Sequence, residues 1–89
     1  MEIFKIAESD GEIEEIKKTI KIDESLLKDA HDYTKLSLYS SLVDSYTKLK
    51  EIEKAIGICR ECMKIAERIN DENWLSIFSF KLGRIYYRA

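Results

Sequence analysis

Cys59 and Cys62, with Arg60 and Glu61 between them, are the side chains in this sequence whose types and spacing could most readily do chemistry. A C-x-x-C can run thiol–disulfide exchange or supply half of a zinc site. Zinc needs about four ligands, and the only histidine is His31. The cysteines also continue an apolar series, Ile52, Ala55, Ile56, Cys59, Cys62, Met63 and Ala66, that recurs at helical spacing. Small hydrophobic side chains belong there, so the pair reads as buried core thiols. His31 ends an earlier helical pattern and reads as a cation at a helix C-terminus or as a plain surface residue. Glu14 with Lys18, and Glu61 with Lys64, lie one helical turn apart and read as surface ion pairs rather than catalytic carboxylates. The sequence holds no glycine-rich phosphate loop, nucleophile elbow or HExxH. It predicts a protein that binds rather than catalyses, with no metal and no cofactor.

The elements that must position these residues are helices. Ser9, followed by Glu12 and Ile13, has the pattern of a capping box, and Ile13, Ile16, Ile20, Leu27 and Ala30 keep helical spacing. A helix over 11–31 follows, behind an N-terminal segment over 1–10, although Asp23, Glu24 and Ser25 offer caps for a second helix from Leu26. Leu38, Tyr39, Leu42, Val43 and Tyr46 mark a helix over 33–48, which turns at Leu49 and Lys50. A third helix covers 51–69, and Asn70 and Asp71 make the turn and cap for a fourth over 71–88.

Composition agrees with an all-α chain. In 89 residues there are three glycines and no proline, against 45% hydrophobic and 36% charged residues, a balance that excludes disorder and disfavours a β sandwich. The length allows one domain with a thin core. A net charge of -2 argues against a globally basic nucleic-acid binder, and no apolar run is long enough to span a bilayer. Two cysteines make no disulfide framework and the start lacks a signal peptide, so the cytoplasm is the expected compartment. Charge is polarised. Residues 1 to 25 carry eight acids and four lysines, whereas residues 78 to 89 carry Lys81, Arg84 and Arg88 and no acid. Such polarity can steer a partner or favour head-to-tail association.

An internal repeat organises the helices. An offset of forty carries Asp32, Leu38, Leu42, Val43 and Tyr46 onto Glu72, Phe78, Leu82, Gly83 and Tyr86. An offset of thirty-six carries Ile16, Thr19, Ile20, Leu26, Leu27 and Ala30 onto Ile52, Ala55, Ile56, Cys62, Met63 and Ala66. The four helices therefore alternate between two types in the order B, A, B, A, and residues 1 to 8, through Ile3, Ile6 and Ala7, supply about two turns toward a further A helix.

Tyr39, Leu42, Val43, Tyr46, Ala55, Cys59 and Cys62 fall at the spacing of the tetratricopeptide (TPR) signature, and Leu82, Gly83 and Tyr86 match its leucine-glycine-tyrosine part. The chain resembles a TPR protein over roughly residues 36 to 88, with the longer period found in kinesin light chains, Gα-binding scaffolds and bacterial Rap-type peptide-sensing regulators. It departs from the signature at Cys59, in place of a large aromatic, at Ser79, in place of the opening aromatic, and in having no proline to end the repeat. The resemblance implies antiparallel helical hairpins stacked in a short array of about four helices, with Ala55 and Gly83 permitting close helix approach. It also implies a concave, partner-binding face built from the A helices: Ser37, Ser40, Asp44 and Thr47 from the second helix, and Ile77, Phe80, Arg84 and Tyr87 from the fourth. Ser40 and Asp44 replace the carboxylate clamp of chaperone-binding TPRs, which disfavours chaperone tails as ligands.

The expected function is a small adaptor or regulator that binds a peptide or helix of another protein, without nucleic acid or membrane. Trp74, Phe78, Leu82, Ile85 and Tyr86 exceed what one preceding helix pair can cover, so two or three of them are expected at an oligomer interface, in a homodimer or docked on a larger TPR protein. Two rivals stand beside this reading: a fragment of a Rap-type peptide sensor, and a redox or metal module using the C-x-x-C.

Overall fold

The computed structural model describes Ala7 and residues 9–88, and the expected turns of helix before Ala7 lie outside the described residues. The described residues are all-α, with four helices: α1 (Asp10–Leu27), α2 (Asp32–Lys48), α3 (Ile52–Arg68) and α4 (Glu72–Arg88). Ser9 caps α1, its hydroxyl oxygen accepting the Glu12 N–H at 3.1 Å, which is the serine half of the expected box. α1 then runs without interruption through Asp23, Glu24 and Ser25, so no second helix starts there. It ends at Leu27, four residues short of the expected His31. Ala30 turns back on Leu27 through its N–H, and His31 adopts an extended conformation as the N-cap of α2. His31 thus sits at a helix N-terminus, where the dipole opposes a cation, and the C-terminal reading of it is corrected.

The other two turns are copies of one another. After α2, the Lys50 N–H donates to the Thr47 carbonyl and Glu51 N–H to Tyr46, while Lys50 takes φ 64°. After α3, Asn70 N–H donates to Glu67 and Asp71 N–H to Ala66, with Asn70 at φ 56°. Both are Schellman motifs, which satisfy the last carbonyls of a helix through one left-handed residue. Asp71 then caps α4, its Oδ1 accepting the Trp74 N–H at 2.9 Å.

Three-residue turns fold α2, α3 and α4 back on one another, and Arg68 at the end of α3 reaches Asp32 at the start of α2 at 3.2 Å. α3 packs along both α2 and α4, α2 meets α4 along a narrow edge, and α1 lies against α2 alone. The small residues Ala55, Cys59, Cys62 and Ala66 form one fully buried stripe on α3. Leu36, Leu42 and Val43 of α2, with Phe78 and Ile85 of α4, fill the space this stripe leaves. Gly83 plays no part in it: a methyl there would meet open space, so the expected close approach belongs to Ala55 and not to Gly83.

Candidate interaction face

α4 is apolar on almost every side of its circumference, and α3 decides which side is core. Phe78 and Ile85, one face of the helix, sink completely into the interior, with Trp74 stacked on Phe78 at a ring separation of 5.8 Å. Trp74 and Leu82 are half-buried beside them, and only Tyr86 of the five proposed interface residues is exposed. The interface assignment is therefore corrected for Phe78 and Ile85. Residues with this spacing share one narrow helical face, and the small α3 side chains leave depth enough to take it whole.

The opposite face of α4 stays uncovered. Ile77 is 40% exposed, Phe80 58% and Tyr87 89%, and Arg84 lies among them with its guanidinium 5.7 Å from the Phe80 ring centre. These residues recur at steps of three and four, which makes one continuous stripe. Arg84 Nε is buried without a hydrogen-bond acceptor, and among the described residues the guanidinium has no carboxylate partner.

On α2 the expected strip is only partly open. Ser37 is exposed and Ser40 half-buried, whereas Asp44 is held by Lys81 of α4 at 2.7 Å, with the lysine largely covered. Thr47 is corrected outright: it is buried, and its hydroxyl donates to the Val43 carbonyl at 2.7 Å. A threonine that satisfies its own hydroxyl one turn back can be packed away, which its polar type conceals. The Asp44–Lys81 bridge was not anticipated either. Its signal in the sequence is slight, a single acid in the neutral stretch from Leu36 to Thr47 and a cation in the matching helix.

Sequence reasoning also passed over the fully buried Leu36 and Ile22 of α1, which is 60% exposed, and it matched Leu26, here 56% exposed, to the buried Cys62. With Thr19 and Glu15 the two α1 residues form a second free stripe, bordering a shallow groove against Ser41 and Ser45 of α2.

Cys59 and Cys62 have no exposed surface, and both thiols are free. Burial pushes Cys59 up to about 11 and Cys62 to about 12, the second helped by its neighbour Cys59. Such thiols stay protonated at neutral pH and are poor nucleophiles and poor metal ligands. Among the described residues no group of three or more His, Cys, Asp or Glu is placed to hold a metal ion, and no helix is long and apolar enough to cross a membrane. No protein-family model, curated protein or solved structure matches the chain.

Proposed function

We propose that this chain is a protein-interaction module with a TPR-like helical array, acting as a small cytoplasmic adaptor or regulator, and that the outward face of α4 is where it holds its partner. The reading rests on the uncovered stripe Ile77, Phe80, Arg84 and Tyr87. Large apolar side chains around a guanidinium are what the centre of an interface is made of, and an isolated surface gains nothing from them. The ligand is a helix or extended segment of protein that offers apolar side chains to Ile77 and Phe80 and a carboxylate to Arg84. Ser37 and Ser40 lie on the matching side of α2 and extend the polar rim. Binding, rather than catalysis, also accords with thiols held protonated in the core.

Selection of binders from a displayed library of helical and extended peptides tests the reading. Binders should lose at least about tenfold in affinity on Ile77→Asp or Phe80→Asp, since each puts a charge into an apolar contact. These positions are exposed, so the melting temperature should move little. A library that yields binders indifferent to both substitutions would place the binding face elsewhere and refute the assignment.

A further inference from the structure

Among the described residues two unpartnered stripes lie at opposite ends of the helical array, one on α4 and one on α1, and α1 touches neither α3 nor α4. Their chemistry is complementary. The α1 stripe carries Glu12 and Glu15 at one end and Ile22 and Leu26 at the other, with Thr19 between. The α4 stripe carries Ile77 and Phe80 at one end and Arg84 and Tyr87 at the other, and no acid follows Glu72 in the sequence. Laid antiparallel, as each helix of the chain lies on the next, Ile77 and Phe80 meet Leu26 and Ile22, and Arg84 comes against Thr19 with Glu15 one turn and Glu12 two turns further along α1. Among the described residues the Glu15 carboxylate is engaged only by Lys18, at 3.9 Å with both side chains mostly in solvent, which holds it weakly.

The repeat marks both stripes as faces that pack against other helices. The thirty-six residue offset carries Thr19, Ile22 and Leu26 onto Ala55, Ile58 and Cys62, and α3 buries the first and third of these and half-buries the second against its neighbours. The forty-residue offset carries the α4 stripe onto Ser37, Ser40, Asp44 and Thr47, the side of α2 where Asp44 meets α4 and Thr47 is buried. The faces that α3, and in part α2, pack within one molecule are the ones that α1 and α4 leave open. A symmetric α4–α4 pairing lacks the charge match. It would bring Arg84 of both copies onto one surface that holds no acid.

We infer that the partner of the α4 face is α1 of a second copy of this chain, in a head-to-tail contact. The inference rests on the α4 face being the binding face, as proposed above, and names its occupant. A contact between two different surfaces does not close on itself at two copies, so it propagates into a chain or closes as a larger ring.

Sedimentation velocity of the full chain over a concentration series, at low and high salt, is the test. The wild type should exceed dimer mass as concentration rises, and salt should weaken the association by screening Arg84 from Glu12 and Glu15. Arg84→Glu, and separately Glu12→Arg with Glu15→Arg, should each raise the dissociation constant at least about tenfold. Mixing those two variants in equal amounts should restore assembly, because each then offers the other a face of opposite charge. Circular dichroism establishes that each variant is folded. A wild type that stays monomeric, one that stops at a dimer, or a Glu12→Arg, Glu15→Arg variant that assembles like the wild type would overturn the inference. Loss of self-association with retained peptide binding through Ile77 and Phe80 would leave the module reading standing. Self-association indifferent to Ile77→Asp and Phe80→Asp would count against both.

Discussion

Phe78 and Phe80 are two residues apart on α4, have the same side chain, and meet opposite environments: Phe78 has no exposed surface and Phe80 is 58% exposed. Truncating a buried phenylalanine to alanine costs about 3 to 5 kcal/mol through lost transfer energy and the cavity left behind. The Trp74 ring 5.8 Å away loses its partner in the same change, which favours the upper part of that range. A domain of this length is stable by about 4 to 13 kcal/mol in all, so Phe78→Ala should remove a large share of it. At about 4 to 8 °C per kcal/mol for a domain this small, the melting temperature should fall by at least about 12 °C. Phe80→Ala gives up partial burial and one exposed contact with Arg84, worth together under about 1 kcal/mol. Urea titrations followed by far-UV circular dichroism, run dilute enough that the wild type is monomeric, measure both. Equal losses at the two positions, or a larger loss at Phe80, would show that α4 is rotated from the orientation described and would remove the basis for its outward face.

Two further outcomes follow from the turns and the thiols. Lys50→Gly should stabilise the chain by about 0.5 to 1 kcal/mol, because φ 64° crowds a lysine Cβ and leaves glycine unstrained; a lower urea midpoint would refute this. Cys59 and Cys62 titrate near 9 when unfolded and at about 11 and 12 when folded, so the unfolded state loses their protons first. Their contribution is complete below pH 9 and is lost as the pH climbs from there toward 12, and wild-type stability should fall more steeply across that window than that of a Cys59→Ala, Cys62→Ala variant. Parallel slopes would mean that the thiols ionise freely in the folded protein.

Helix number and type were legible because apolar residues at three-and-four spacing, with no proline to interrupt them, leave few other folds. The turns at Lys50 and Asn70 were legible too, since polar residues break the apolar series there. The end of α1 was not, because Ala30 continues its spacing across the turn and is itself half-buried. The side of α4 that becomes core was the largest gap. Trp74, Leu75, Ile77, Phe78, Phe80, Leu82, Ile85, Tyr86 and Tyr87 spread round most of α4 and leave only the narrow strip Glu72, Ser76, Ser79 and Gly83 without a large apolar side chain, so periodicity alone does not choose among the apolar sides. Selection comes from depth: the α3 stripe of Ala55, Cys59, Cys62 and Ala66 admits Phe78 and Ile85 and leaves the rest.

Matched positions in the two A-type helices show what a missing neighbour does. Tyr46 and Tyr86 are related by the forty-residue offset, yet Tyr46 is 8% exposed and Tyr86 51%. Tyr46 donates its hydroxyl to Glu24 of α1 and lies under Lys54 of α3, so helices hold it from before and after in the chain. Its hydroxyl is pushed above the usual tyrosine range, by burial first and then by Glu24 and Glu51. Tyr86 has a partner on one side only, Arg60 of α3 at 2.6 Å. What separates the two tyrosines is therefore the following helix and not the residue.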